Sequence, residues 1–114
     1  MYEYNASVIR VVDGDSIEVM IDQGFRQWRR ERVRVLGVDC PEKTGDTKPA
    51  GLAAKAFTQA WCDARGGLVR IQTILDPNDS FGRVLASVYD RADSRETLAN
   101  ALIAAGHGVE YRRV

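Results

Sequence analysis

Histidine, cysteine and proline are scarce in this chain, with one His, two Cys and three Pro in 114 residues. One histidine, His107, and two distant cysteines, Cys40 and Cys62, provide no zinc-ligand spacing, which disfavours zinc. Two cysteines also make no disulfide framework, so both are expected as reduced thiols. Neither sign of charge is in excess: 16 basic and 16 acidic residues cancel. That removes a long-range pull toward nucleic acid but leaves room for local patches, which are what phosphate contacts use. No apolar run is long enough to span a bilayer. The opening segment, MYEYNASVIR, lacks a basic region followed by an apolar core, so no signal peptide is expected and the chain reads as soluble and cytoplasmic. At 45% hydrophobic content the length suits one globular domain over residues 1–114.

The first third has the two-residue period of strands. Residues 7–12 are rich in β-branched side chains and end at the turn signal Asp13-Gly14-Asp15. Residues 16–21 alternate, with Ile17, Val19 and Ile21 on one face. A third strand over residues 28–36 places Arg30, Arg32 and Arg34 on one face and Val33 and Val35 on the other, which sets Arg34 off the core. Residues 37–50 read as a loop. Ala53, Phe57, Ala60, Trp61 and Ala64 then recur at helical spacing, so residues 49–65 predict an amphipathic helix with Pro49 in its first turn and Gly66-Gly67 ending it. Strands are expected over 68–74 and 83–89, the latter with Val84, Ala86 and Val88 on one side. A second helix over 94–105 follows, with Leu98, Ala101, Leu102 and Ala105 apolar, Asp93 and Glu96 as a capping box and Gly106 just past its end. Residues 109–113 suit a short last strand. Three strands, a helix, two strands and a helix suit an α+β chain built on a five-stranded OB-type barrel, although an open α+β sheet would read nearly the same.

Three motifs carry chemistry: Asp13-Gly14-Asp15 at a turn, Arg34 to Glu42 (RVLGVDCPE) running from strand to loop, and Asp79 to Arg83 (DSFGR) running from loop to strand. Each alone is better explained as a turn or a solvated charge. Together they have a logic. Asp15, Asp39 and Glu42 are hard oxygen donors suited to Ca²⁺ or Mg²⁺, and the carbonyl of Cys40 can add a ligand. Arg34 and Arg83 are forked, permanent cations that match phosphate oxygens. Carboxylates holding a cation, plus two arginines, are what phosphodiester hydrolysis needs, with Glu42 placed to orient or deprotonate water. Arg26, Arg29, Arg30 and Arg32, with Trp28 and Glu31 among them, form a basic stretch around a hairpin that reads equally as a solvated turn or a phosphate track. His107 reads as a surface or cap residue.

The run DGDS, then RVLGVDCPE, then Gly51, Ala54 and Phe57 at helical spacing, then DSFGR, resembles the thermonuclease (staphylococcal nuclease-like) family over about residues 8–106. The resemblance implies an OB-fold barrel and a Ca²⁺-dependent endonuclease that cuts DNA and/or RNA with little sequence preference and leaves 3′-phosphate ends, Mg²⁺ being the lesser alternative. It implies metal ligation by Asp15, Asp39 and the Cys40 carbonyl, catalytic roles for Arg34, Glu42 and Arg83, and a site-flanking role for Asp13. Substrate contacts would fall to Asp79, Phe81 and Tyr111. Cys40 stands where the family has threonine, and an exposed thiol there would be open to oxidation. Phe81 stands for a tyrosine, Tyr111 is one residue out of register, and the chain stops soon after the second helix. A homo-oligomer or another chain is one way to cover the face so left. The competing reading is a binding module on the same fold, for nucleic acid or a protein ligand, without catalysis. An OB domain whose motifs are only turns is the third.

Overall fold

Alternating β-branched residues build long strands that close on themselves in the computed structural model, which describes residues 2–74 and 83–111. In chain order the elements are β1 (Tyr2–Asp13), β2 (Ser16–Asp22), β3 (Trp28–Val35), β4 (Val38–Asp39), α1 (Lys48–Asp63), β5 (Leu68–Ile74), β6 (Arg83–Asp90), α2 (Leu98–Ala104) and β7 (Val109–Glu110), with a 3₁₀ turn at Gly45–Thr47 leading into α1. Five of the strands form a closed barrel in the order β1-β2-β3-β6-β5. All its pairings are antiparallel except β3 with β6. This closed five-stranded barrel with two helices is an OB fold. Irregular register between β1 and β2, at Val8/Arg10 and Val11/Asp13, lets the long β1 bend round and pair with both β2 and β5.

The barrel interior is filled by the inward faces of these strands: Ile17, Val19, Val33, Val35, Val69, Ile71, Ala86 and Val88 are essentially inaccessible. Leu98 and Leu102 of α2 belong to the same core. The alternation in β2, β3 and β6 is thus as the sequence reading has it, including the outward placement of Arg34.

Several boundaries differ from the sequence expectation. β1 begins at Tyr2, because β5 gives its first half a partner that no local pattern reveals. The 37–50 loop contains β4, which among the described residues pairs only with the distant β7, and α1 already starts at Lys48. The buried face of α1 is Gly51, Ala54, Thr58, Trp61 and Cys62, with Ala53, Ala60 and Ala64 exposed. Here the helix is met by backbone, so small residues face inward (see below). α2 is shorter than expected and is capped by Thr97, whose side chain accepts from the Asn100 N–H at 3.1 Å, and not by Asp93. The chain just before it is held extended by the Tyr89–Thr97 bridge and by the Asp90 N–H donating to the Glu96 carbonyl. Gly106 follows α2 with φ of +79°, as a C′ glycine does. Among the described residues no helix is long and apolar enough to cross a membrane.

Candidate functional site

Tight turns at one end of the barrel carry the acidic motifs, and α1 holds those turns in place. Asp13-Gly14-Asp15 joins β1 to β2. Gly14 lies so close to α1 that an added Cβ would come within 2.8 Å of the Ala54 Cβ and 3.1 Å of the Cys40 Sγ. One helical turn on, the fully buried Thr58 donates its hydroxyl to the Gly14 carbonyl at 2.6 Å. The Glu42-Lys43 peptide rests on Gly51, where a Cβ would lie 2.5 Å from Glu42 C, Glu42 O and Lys43 N. Thr47 donates its hydroxyl to the Glu42 carbonyl at 2.6 Å. The resemblance motif of Gly51, Ala54 and Phe57 therefore has a physical meaning in its first two members, which let both acidic segments approach one helix.

Asp13, Asp15, Arg34, Asp39, Cys40, Glu42 and Lys43 are among the residues lining a cleft of about 340 Å³ at this end. Arg34 is its pivot. Its Nη1 lies 2.9 Å from Asp15 Oδ2, and 3.2 to 3.4 Å from the carbonyl oxygens of Val38, Asp15 and Val35. Its Nη2 lies 3.4 Å from Asp39 Oδ1. Only 18% of this side chain is exposed, against 54% for Asp39. The Cys40 N–H donates to Asp15 Oδ2 at 3.0 Å and so fixes the carboxylate's second direction. Glu42 is exposed at the rim, with no hydrogen bond or ion pair from its side chain among the described residues. Lys43 donates to the Val12 carbonyl at 2.7 Å and stands 3.6 Å from Asp13 Oδ1, tying the two acidic turns together.

The donor set suits a hard cation. The oxygens of Asp15 and Asp39 already surround one positive group, the Arg34 guanidinium. The Cys40 thiol is buried, and burial, reinforced by the Asp15 charge, pushes it up to about 12, so it is neutral and offers no soft thiolate. Among the described residues no three carboxylate, thiol or imidazole groups converge closely enough to chelate an ion. Two carboxylates with a backbone carbonyl could contribute only part of an oxygen shell, the rest of which would fall to water or another ligand.

A second cleft, of about 240 Å³, shares Asp39, Cys40 and Pro41 with the first and is otherwise lined by Gly106, His107, Gly108 and Val109. A model of the family described as "Staphylococcal nuclease homologue" matches residues 32–114. The chain belongs to that family. It is similar to a thermonuclease of Staphylococcus intermedius, 39% identical over 85 residues covering 72% of this chain and 46% of that protein. It is similar to a thermonuclease of Staphylococcus hyicus, 33% identical over 90 residues covering 76% and 49%. It is also similar to Protein ParB of Escherichia coli, 31% identical over 90 residues covering 76% and 42%. The chain spans less than half the length of these curated relatives.

Within this nuclease-homologue barrel, five of the expected site residues, Asp15, Arg34, Asp39, Cys40 and Glu42, line one cleft together with Asp13. Arg83 opens β6, where its backbone is the register partner of Arg32, and two residues on Leu85 pairs with Arg34. Asp79 and Phe81 lie outside the described residues, as do Arg112 and Arg113. Tyr111 is half-exposed, donates its N–H to the Gly37 carbonyl at 3.2 Å, and lines neither cleft. The Cys40 thiol, which exposure would have opened to oxidation, is buried. His107 is a cap residue, its N–H donating to the Leu102 carbonyl at 2.9 Å past the end of α2, and its ring meets that of Phe57 with centroids 5.0 Å apart. Lys43, Thr47 and Thr58 escaped the sequence reading. The one signal for Thr58 was a polar residue at the i+4 position from Ala54.

Proposed function

We propose that this chain is a metal-dependent endonuclease that hydrolyses phosphodiester bonds of DNA and/or RNA, with Ca²⁺ as its cation and 3′-phosphate ends as products. The observation that carries the reading is the convergence of Asp15, Arg34, Asp39 and Glu42 on one open cleft, in a chain of the staphylococcal nuclease homologue family. Asp15 and Asp39, with the Cys40 carbonyl, would hold the cation. A divalent ion there supplies Lewis-acid stabilisation of charge on the phosphoryl oxygens. Arg34 and Arg83 neutralise the same charge from the protein side with forked donors. Glu42, solvent-facing and free of an ion-pair partner among the described residues, accepts the proton of the attacking water or orients it. The arrangement needs Arg34 to give up part of its contact with Asp15 and Asp39 when substrate and cation enter, because one guanidinium cannot serve both.

A binding module without catalysis is the second reading, favoured by one observation: no three-ligand metal group exists among the described residues. Incubation of the purified chain with single-stranded DNA, with Ca²⁺ or with a chelator, separates the two. The nuclease reading expects Ca²⁺-dependent cleavage that Glu42→Ala and Arg83→Ala each reduce by about 10² or more. Binding without cleavage in any divalent cation leaves only the binding module. Cleavage that survives both substitutions assigns the chemistry to other residues.

A further inference from the structure

The hairpin between β2 and β3 carries features that the fold does not use. Gly24, Phe25 and Arg26 all adopt positive φ, at +80°, +53° and +61°. Glycine accepts that region freely, but a bulky residue is strained there. Phe25 is nevertheless 99% exposed and Trp28 is 57% exposed, so neither aromatic adds to the core. The other tryptophan, Trp61, is buried.

From Trp28 the outward face of β3 runs through Arg30 and Arg32 to Arg34 in the cleft, with same-face side chains about 7 Å apart and the whole path about 20 Å long. Arg10, on the outer face of β1, meets Glu18 at 3.1 Å, and Arg30 meets the same carboxylate from the other side. Glu18 thereby orders two arginines that stay over 60% exposed. Arg26 and Arg32 have no partner among the described residues. Of the other carboxylates at this hairpin, Asp22 accepts from the Gly24 N–H at 2.9 Å, and Glu31, on the opposite face of β3, is paired with Arg29. Four arginines against two engaged carboxylates make this face basic in a chain with no net charge.

We infer that this face is a track for single-stranded nucleic acid, with arginines following the backbone and Phe25 and Trp28 stacking on bases beyond the cleft. The inference rests on the nuclease reading for its direction, since the track ends at Arg34. Charge complementarity selects a polyanion, and two exposed aromatic rings beside arginines select one with bases. An acidic protein surface would use the arginines without needing the rings, and an anionic membrane, which takes both, is separated by the vesicle measurement below.

Fluorescence anisotropy in chelator tests it, with labelled oligo-dT of roughly 12 and roughly 3 nucleotides. Phe25→Gly and Trp28→Ala are each expected to weaken the longer oligomer about tenfold and leave the shorter one unchanged. Arg26→Gln with Arg32→Gln should lower the slope of log affinity against log salt by about 1.4. Phe25→Gly should hold or raise the melting temperature, because it relieves the left-handed backbone, so lost affinity with retained stability excludes misfolding. The longer oligomer should quench tryptophan fluorescence in the wild type but not in Trp28→Ala. Affinity for the longer oligomer within twofold of wild type in both aromatic variants overturns the track. So does binding to phosphatidylserine vesicles or self-association that depends on Phe25 while oligomer binding does not. Track binding without cleavage sinks the nuclease reading alone. Cleavage indifferent to Phe25 and Trp28 sinks the track alone.

Discussion

Gly51→Ala is expected to damage activity far more than stability. Gly51 sits in the first turns of α1 under the Glu42-Lys43 peptide, and its added Cβ would lie 2.5 Å from three backbone atoms there. Ordinary contact is about 1 Å longer, and no flexible side-chain tip stands in the way to yield. The Glu42 segment must therefore lift by roughly that distance, against the Thr47 hydroxyl that anchors its carbonyl. Overpacking of this kind costs about 1–3 kcal/mol. The helix gains up to about 1 kcal/mol from replacing glycine by alanine. The two effects oppose each other, so with the full helix gain the net loss of stability is about 0–2 kcal/mol, a shift of several degrees in Tm for a domain this size. Displacing a reacting group by about 1 Å, by contrast, costs on the order of 10²-fold in rate. The assay pairs a calorimetric Tm with kcat and KM on a labelled single strand. A fall in kcat of about 10² with KM near wild type and Tm lowered by only a few degrees supports the seating of Glu42 on α1. Activity within threefold of wild type at unchanged Tm would refute it, because the peptide would then have moved without consequence.

Two further outcomes follow from the electrostatics. Glu18 is held below its usual value of 4.5, chiefly by the side-chain hydrogen bond from Arg30, with burial opposing and the charges of Arg30 and Arg10 assisting. A depressed carboxylate stabilises the fold above its unfolded pKa and loses that contribution as pH falls through the folded one. Wild-type Tm should thus drop more steeply below pH 4.5 than that of Glu18→Gln, and parallel curves would show the cluster to be energetically idle. Burial pushes the Cys40 and Cys62 thiols to about 12 and about 11, so neither should react with iodoacetamide at pH 8 until the chain unfolds. Rapid labelling of either thiol in the native protein would contradict that burial.

The parts of the fold that were legible in the sequence are those whose partners share one periodicity. Ile17, Val19 and Ile21, then Val33 and Val35, declare their inward faces by alternation alone, and that alternation also sets Arg34 outside. What was not legible depends on a partner far along the chain. β4 has two residues, too few to show a period, and exists because β7 pairs with it some seventy residues later. The start of α2 was read from Asp93, whereas a tertiary bridge from Thr97 to Tyr89 of β6 holds the chain extended as far as Thr97, which caps the helix instead. The face of α1 misled for a different reason. Hydrophobic periodicity favours Ala53 and Ala64 over Gly51 and Thr58, but what approaches this helix is backbone, and backbone demands small residues and a hydrogen-bond donor.

The same distinction separates the two halves of the site. That Asp15, Arg34, Asp39, Cys40 and Glu42 belong together was readable from residue type and motif order, and one cleft does gather them. How they are held was not readable, because the supports are Gly51, Ala54, Thr47 and Thr58, small residues chosen for what they do not obstruct. The central relation, Arg34 lying between Asp15 and Asp39, belongs to neither half. Without a bound cation, two carboxylates facing one cleft repel each other, and Arg34 offsets that repulsion. Occupation by a cation and a phosphate would remove the need for it and supply the arginine with a better partner in the same step. On the proposed nuclease reading, the resting contact would keep the carboxylates in position and let the guanidinium exchange the weaker of its two partners for substrate. The 3.4 Å separation from a half-exposed Asp39 suits such a provisional contact on that side, whereas the 2.9 Å contact with the largely buried Asp15 is the one that holds.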